Sequence, residues 1–165
     1  MYYCRKVVIA VKYNHKEYRM KILVDGDACP VKETISEVSA RYKVKVIIFI
    51  STAHWTDNRE DVEYITVDSN YQEVDMKIVN QVKAGDIVIT NDYGLASLIL
   101  AKRASALSFD GRVFTRDKID YLLAKRHLAA KLRRQGSYIS KQSKYSKEDR
   151  ESFKTNLIEL ITKLG

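Results

Sequence analysis

From Lys21 onward the chain alternates short β-branched runs with stretches of helical periodicity, and this alternation constrains its fold more than any other feature. Residues 21–25 read as a buried strand, and residues 30–42 as a helix with Val31, Ile35 and Val38 on one face. Residues 44–50 are rich in β-branched side chains and read as a central strand, with a third strand at 62–67. Asp68, Ser69 and Asn70 offer cap chemistry for a helix over 71–84, striped by Val74, Ile78 and Val82 and closed by Gly85. A strand at 86–90, a helix at 95–103 and a short strand at 106–109 follow. A helix over 117–134 carries Ile119, Leu122, Leu123 and Leu128. The last helix opens on Ser146-Lys147-Glu148-Asp149, close to a capping box, and continues through Phe153, Leu157, Leu160, Ile161 and Leu164. Strands alternating with helices predict a mainly parallel sheet covered on both faces, a three-layer α/β/α sandwich.

Length sets the scale of that sandwich. The 165 residues are expected to form one α/β domain over 20–165, preceded by an extension at 1–19 that is either an added edge strand or a disordered tail. A single proline and six glycines argue against a linker-rich chain. No apolar run approaches the roughly 18–20 residues that span a bilayer, so no membrane partner is expected. Cys4 and Cys29 make neither a disulfide framework nor a metal-binding pair, and a reducing cytoplasm is the expected location. No nucleotide-binding glycine motif is present. The sequence is compatible with a homodimer and fixes no oligomeric state.

Carboxylates gather where such a fold places its sites, at the carboxyl ends of the strands. Asp25 and Asp27 follow the first strand, and alternation puts residues two apart on one face. Gly26 between them places no side chain in the way, and Pro30 suits the first turn of a helix. Asp92 follows the fourth strand, and Asp75 lies early in the helix after the third. Like charges this close repel unless a cation or a proton sits between them. Oxygen ligands without His or Cys suit Mg²⁺ or Mn²⁺ rather than Zn²⁺. Each acid also has a structural use. Asp92 and Asp27 can cap the helices that follow them, and Asp75 can favour a helix N-terminus. Asp86, at the other end of its strand, reads as structural, and Asp68 as a cap. Cys29 reads as a small buried side chain. His54-Trp55 reads as a surface turn with a packed Trp, and His127 as exposed.

Three stretches are familiar together. Val24-Asp25-Gly26-Asp27-Ala28-Cys29-Pro30-Val31-Lys32, Asn70-Tyr71-Gln72-Glu73-Val74-Asp75, and the run from Gly85 through Thr90-Asn91-Asp92-Tyr93-Gly94 to Ala96 resemble the YaiI/YqxD family, also called UPF0178 or DUF188. Arg133-Arg134-Gln135-Gly136 and Glu148-Asp149-Arg150-Glu151-Ser152-Phe153 extend the resemblance over about residues 20–160. That family usually reads Asp-Ala-Asp where this chain has Asp25-Gly26-Asp27, which leaves both acids in place. Ser108-Phe109-Asp110-Gly111 departs from a more usual Pro-Arg-Gly-like turn, and Asp110 is assigned no role. The family is similar to PIN-like nucleases. The resemblance therefore implies a PIN-like fold, Asp25 or Asp27, Asp75 and Asp92 as the metal-binding acids, and RNA as substrate; all four acids, Asp25, Asp27, Asp75 and Asp92, are taken as the candidate metal-binding and catalytic set.

Charge distribution points to the same partner. Residues 20–124 hold 13 Lys/Arg against 16 Asp/Glu, whereas residues 125–150 hold nine against two. Lys125, Arg126, Lys131, Arg133, Arg134, Lys141 and Lys144 are candidate phosphate contacts, with Lys147 beside them. Tyr138 and Tyr145 interleave with them and are candidates for base stacking. A solvated helix face followed by a polar, basic loop over 135–147 is the plainer alternative. Three functional readings follow: a metal-dependent phosphodiesterase acting on RNA, a haloacid dehalogenase-like phosphatase with Asp25 as nucleophile and Asp27 as general acid/base, and a non-catalytic RNA-binding module.

Overall fold

The computed structural model describes residues 19–27, 29–51, 62–67, 71–134 and 145–165, and within these the side chains of residues 71, 72, 132 and 133 are not described. The extension at 1–18, His54-Trp55, the cap residues 68–70, Tyr138, Lys141 and Lys144 lie outside the described residues.

Five strands, β1 (Lys21–Asp25), β2 (Lys45–Ser51), β3 (Glu63–Val67), β4 (Ile87–Ile89) and β5 (Ser105–Leu107), form one sheet in the order β3-β2-β1-β4-β5. Every strand pair in it is parallel. The helices are α1 (Lys32–Tyr42), α2 (Tyr71–Gln81), α3 (Tyr93–Ala101), α4 (Arg116–Arg134) and α5 (Lys147–Leu164). The three-layer α/β/α architecture is therefore the observed one.

Strand alternation builds the two cores. Ile22 and Val24 of β1, Val46, Ile48 and Ile50 of β2, and Ile87 and Ile89 of β4 pack with α1 and with Phe153, Leu157 and Ile161 of α5. Leu23, Ile47, Phe49 and Val88 point the other way, onto Val74, Ile78 and Val82 from α2 and its end, Leu95, Ala96 and Ile99 of α3, and Ile119 of α4. Central strands buried on both faces explain the continuous runs Ile22-Leu23-Val24 and Ile87-Val88-Ile89. Each large aliphatic side chain so buried contributes about 1.5–3 kcal/mol.

The expected elements are present, with shifted ends that have identifiable causes. The first helix starts at Lys32 after a turn through Pro30. The α2 helix ends at Gln81, short of Gly85, because the buried Asp86 carboxylate accepts from the Lys83 N–H (2.8 Å) and draws the chain into a turn. Its other oxygen accepts from the Lys21 N–H (2.9 Å), which ties this turn to the start of β1 and confirms Asp86 as structural. The third helix begins at Tyr93 rather than residue 95, because Asp92 caps it. The fifth strand ends at Leu107, because Ser108 turns the chain. The capping box of α5 forms as expected, with Ser146 and Asp149 each accepting from the other's backbone N–H. Among the described residues no helix is long and apolar enough to cross a membrane.

Candidate functional site

From β1 the chain leaves through α1 on one face of the sheet, and from β4 through α3 on the other. A crevice opens where neighbouring strands part in this way, at their carboxyl ends. Asp25 closes β1, and Val24 pairs with Ile89, so Asp25 stands beside Thr90. By alternation Asp25 shares the face of Leu23, the side covered by α2 and α3.

Thr90, fully buried, holds this acid. Its hydroxyl donates to Asp25 Oδ2 (3.0 Å) and accepts from the Asp92 N–H (3.0 Å). The Asp92 carboxylate uses Oδ1 alone to cap α3, accepting from the Gly94 N–H (2.7 Å) and the Leu95 N–H (3.0 Å). The structural use of Asp92 is thus realised through one of its two oxygens. Asp27 does not occupy the cap position of α1, which is Val31. Instead its Oδ1 accepts from the Ser51 N–H at the end of β2 (2.7 Å). Gly26 makes this possible by close approach: its N–H donates to the Phe49 carbonyl (2.8 Å), and a Cβ there would fall 2.5 Å from Ile48 Cγ2.

Electrostatics join the acids across three segments. Burial pushes the Asp25 carboxyl up, the Thr90 hydroxyl pulls it down, and the charges of Asp27 and Asp92 push it up again. Asp75, half-buried on α2, is pushed up to about 6 by burial and then by Asp92 and Asp25. All four acids named from the sequence therefore lie in one field. Among the described residues no three Asp, Glu, His or Cys side chains converge closely enough to form a ready-made metal cage. The donor set still fits a hard cation such as Mg²⁺, which keeps several waters and is held by one or two carboxylates.

The basic residues are distributed differently. Lys125, Arg126, Lys131 and Arg134 of α4 are exposed, as is His127. At about 100° per residue they ring the helix, with Lys125 and Arg134 on opposite sides, rather than forming one stripe. Arg133 lies in the same helix. Tyr145 packs against the α1/α5 core and its hydroxyl is buried, so it is not splayed out for stacking. Cys29 packs in the same cluster, and burial pushes its thiol up to about 12, as expected for an inert side chain.

Two residues of the site escaped sequence reading. Thr90 looks like any β-branched residue at a strand end. Ser51 acts through its backbone, which no side-chain pattern reveals.

Two predictions arise here. Thr90→Val keeps the shape but removes the hydroxyl, leaving Asp25 without its donor and the Asp92 N–H without its acceptor. On the reading that Asp25 ligates a cation, affinity for Mn²⁺ would fall about 10–100-fold, which calorimetric titration would measure. The second concerns pH. Asp75 binds a proton more tightly folded than unfolded, so its contribution to stability falls as pH rises from about 4 to about 6. Asp75→Asn removes the repelled charge and is expected to stabilise the metal-free protein at pH 7 by about 1 kcal/mol, after discounting for solvent screening. Below pH 4 the difference from the unsubstituted protein should vanish in urea unfolding.

The fold and site define an α/β protein with an acidic cluster at the switch point of a parallel sheet. A family model described as "Uncharacterized BCR, YaiI/YqxD family" matches residues 23–163, and the chain belongs to that family. It is 41% identical over 142 residues to a UPF0178 protein of Clostridium kluyveri, covering 86% of this chain and 93% of the relative. It is 43% identical over 145 residues to one of Clostridium tetani (87% and 98% covered). It is 42% identical over 144 residues to one of Enterococcus faecalis (86% and 97% covered). No solved structure gives a significant match.

Proposed function

We propose that the protein is a divalent-metal-dependent phosphodiesterase acting on RNA. The observation that carries this reading is the shared field of Asp25, Asp75 and Asp92, acids from three segments at the sheet's switch point that pair with no Lys or Arg among the described residues. A purely structural role would favour acids paired with bases, as Glu37 is with Lys154. Asp25 and Asp92, together with Asp75 and Asp27, would hold Mg²⁺ or Mn²⁺. When bound, such a cation neutralises charge on a phosphodiester and lowers the pKa of water. Thr90 fixes the orientation of Asp25, and the Asp92 cap of α3 engages one of its two carboxylate oxygens. The exposed lysines and arginines of α4 supply sequence-independent attraction for a phosphate backbone, and RNA follows from the resemblance to PIN-like nucleases.

The test is incubation of end-labelled single-stranded RNA with the protein and Mn²⁺. Cleavage that disappears with chelator supports the proposal. Absence of cleavage of any RNA or DNA in Mn²⁺ contradicts it. Salt-dependent RNA binding without turnover, unchanged by substitution of the acids, would instead select a non-catalytic binding module.

A further inference from the structure

The turn that follows β5 borders the acidic cluster and is built more tightly than a connection requires. The Phe109 N–H donates to Asn91 Oδ1 (2.9 Å), which fastens the turn to the residue just before Asp92. The Ser108 N–H donates to the Arg112 carbonyl (2.9 Å), and the Arg112 N–H to Ser108 Oγ (2.9 Å). Gly111 sits at φ +87°, where a Cβ would fall 2.5 Å from the Phe153 nitrogen, and Asn156 Nδ2 donates to its carbonyl (2.8 Å). Within this frame Asp110 Oδ2 accepts from Arg112 Nε (2.9 Å) and pairs with Nη2 (2.6 Å), while Ser108 Oγ bonds Asp110 Oδ1. The guanidinium is thus held from one side.

An arginine fixed along one edge is a poised phosphate ligand. Nε and Nη2 are engaged by Asp110, and among the described residues Nη1 has no hydrogen-bond acceptor. The side chain is 56% exposed and so open to an incoming oxyanion. Arg112 also lies within electrostatic reach of Tyr93, the residue next to Asp92. Chain order adds a second link, because α4 with its exposed basic residues begins at Arg116.

We infer that Arg112, oriented by Asp110 and Ser108, grips a backbone phosphate of the RNA strand and positions it between the basic α4 helix and the acidic cluster. This rests on the function proposed above. Arg112 is a substrate-positioning residue here, and Asp110 serves to orient it.

The experiment measures binding of a fluorescent single-stranded RNA across a salt series, in the absence of divalent metal, for the unsubstituted protein, Arg112→Gln, Arg112→Lys and Asp110→Asn. Arg112→Gln should weaken binding about tenfold and reduce the slope of log K against log salt by about 0.7. Arg112→Lys should keep the slope but lose affinity, since an ammonium lacks the fork. Asp110→Asn should retain the slope and bind several-fold more weakly. Melting temperatures of the four proteins separate these effects from loss of fold. If the unsubstituted protein binds RNA and Arg112→Gln shows the same affinity and slope, the assignment of Arg112 is overturned while the proposed function stands. If the unsubstituted protein binds no RNA, the RNA reading itself falls, and this inference with it.

Discussion

Replacing Asp25 by asparagine is expected to lower the proposed Mn²⁺-dependent RNA cleavage by on the order of 10²–10³-fold, the scale seen when one preorganised electrostatic partner is lost. The same substitution should raise the melting temperature of the metal-free protein. The two effects have one cause. Burial and the charges of Asp27 and Asp92 act against an ionised Asp25, and among the described residues the Thr90 hydroxyl alone acts for it. Asparagine keeps an oxygen for Thr90 and removes the charge that its neighbours repel. A residue that weakens the free protein and is needed for turnover is the expected pattern of a functional site. Parallel measurement of cleavage rate and thermal unfolding checks both halves. A properly folded Asp25→Asn protein with unchanged cleavage would remove Asp25 from the site.

The second large effect is on the fold. Phe153→Ala is expected to destabilise the protein by about 3–5 kcal/mol, read as a shift in the urea midpoint. Phe153 is fully buried in the α1/α5 core, and its backbone nitrogen lies against Gly111. The cavity left by alanine cannot close easily, because strands buried on both faces form its floor. Against a typical total of about 5–15 kcal/mol, this is a large fraction of the stability. A loss below about 1 kcal/mol would mean that α5 is not part of the core.

These two residues differ in how they show in the sequence. Phe153 belongs to a stripe with Leu157 and Ile161 at helical spacing, so its inward position follows from periodicity. The sheet was legible for the same reason, through runs such as Ile22-Leu23-Val24. Element ends were less legible, because side chains compete there with the backbone. Asp92 starts α3 early and Asp86 ends α2 early, and both act through hydrogen bonds that apolar patterns do not encode.

At the site, the four acids could be named from strand ends and from resemblance, but the division of labour among them could not. Asp27 turns to Ser51 and Asp92 spends one oxygen on a cap, whereas Asp25 is held by Thr90 across a strand pair. Contacts such as Thr90 with Asp25 join residues far apart in the chain, and only the register of β1 against β4 brings them together. Arg112 was invisible for a related reason. Its orientation depends on a turn whose glycine is required by the close approach of α5.

The claim on which the functional account depends is that a divalent cation binds at this switch point. Anomalous diffraction from a crystal soaked in Mn²⁺ tests it most directly. The account predicts a manganese peak bounded by Asp25, Asp75 and Asp92 and absent from Asp25→Asn crystals. A crystal at saturating Mn²⁺ with no peak beside Asp25 would contradict it.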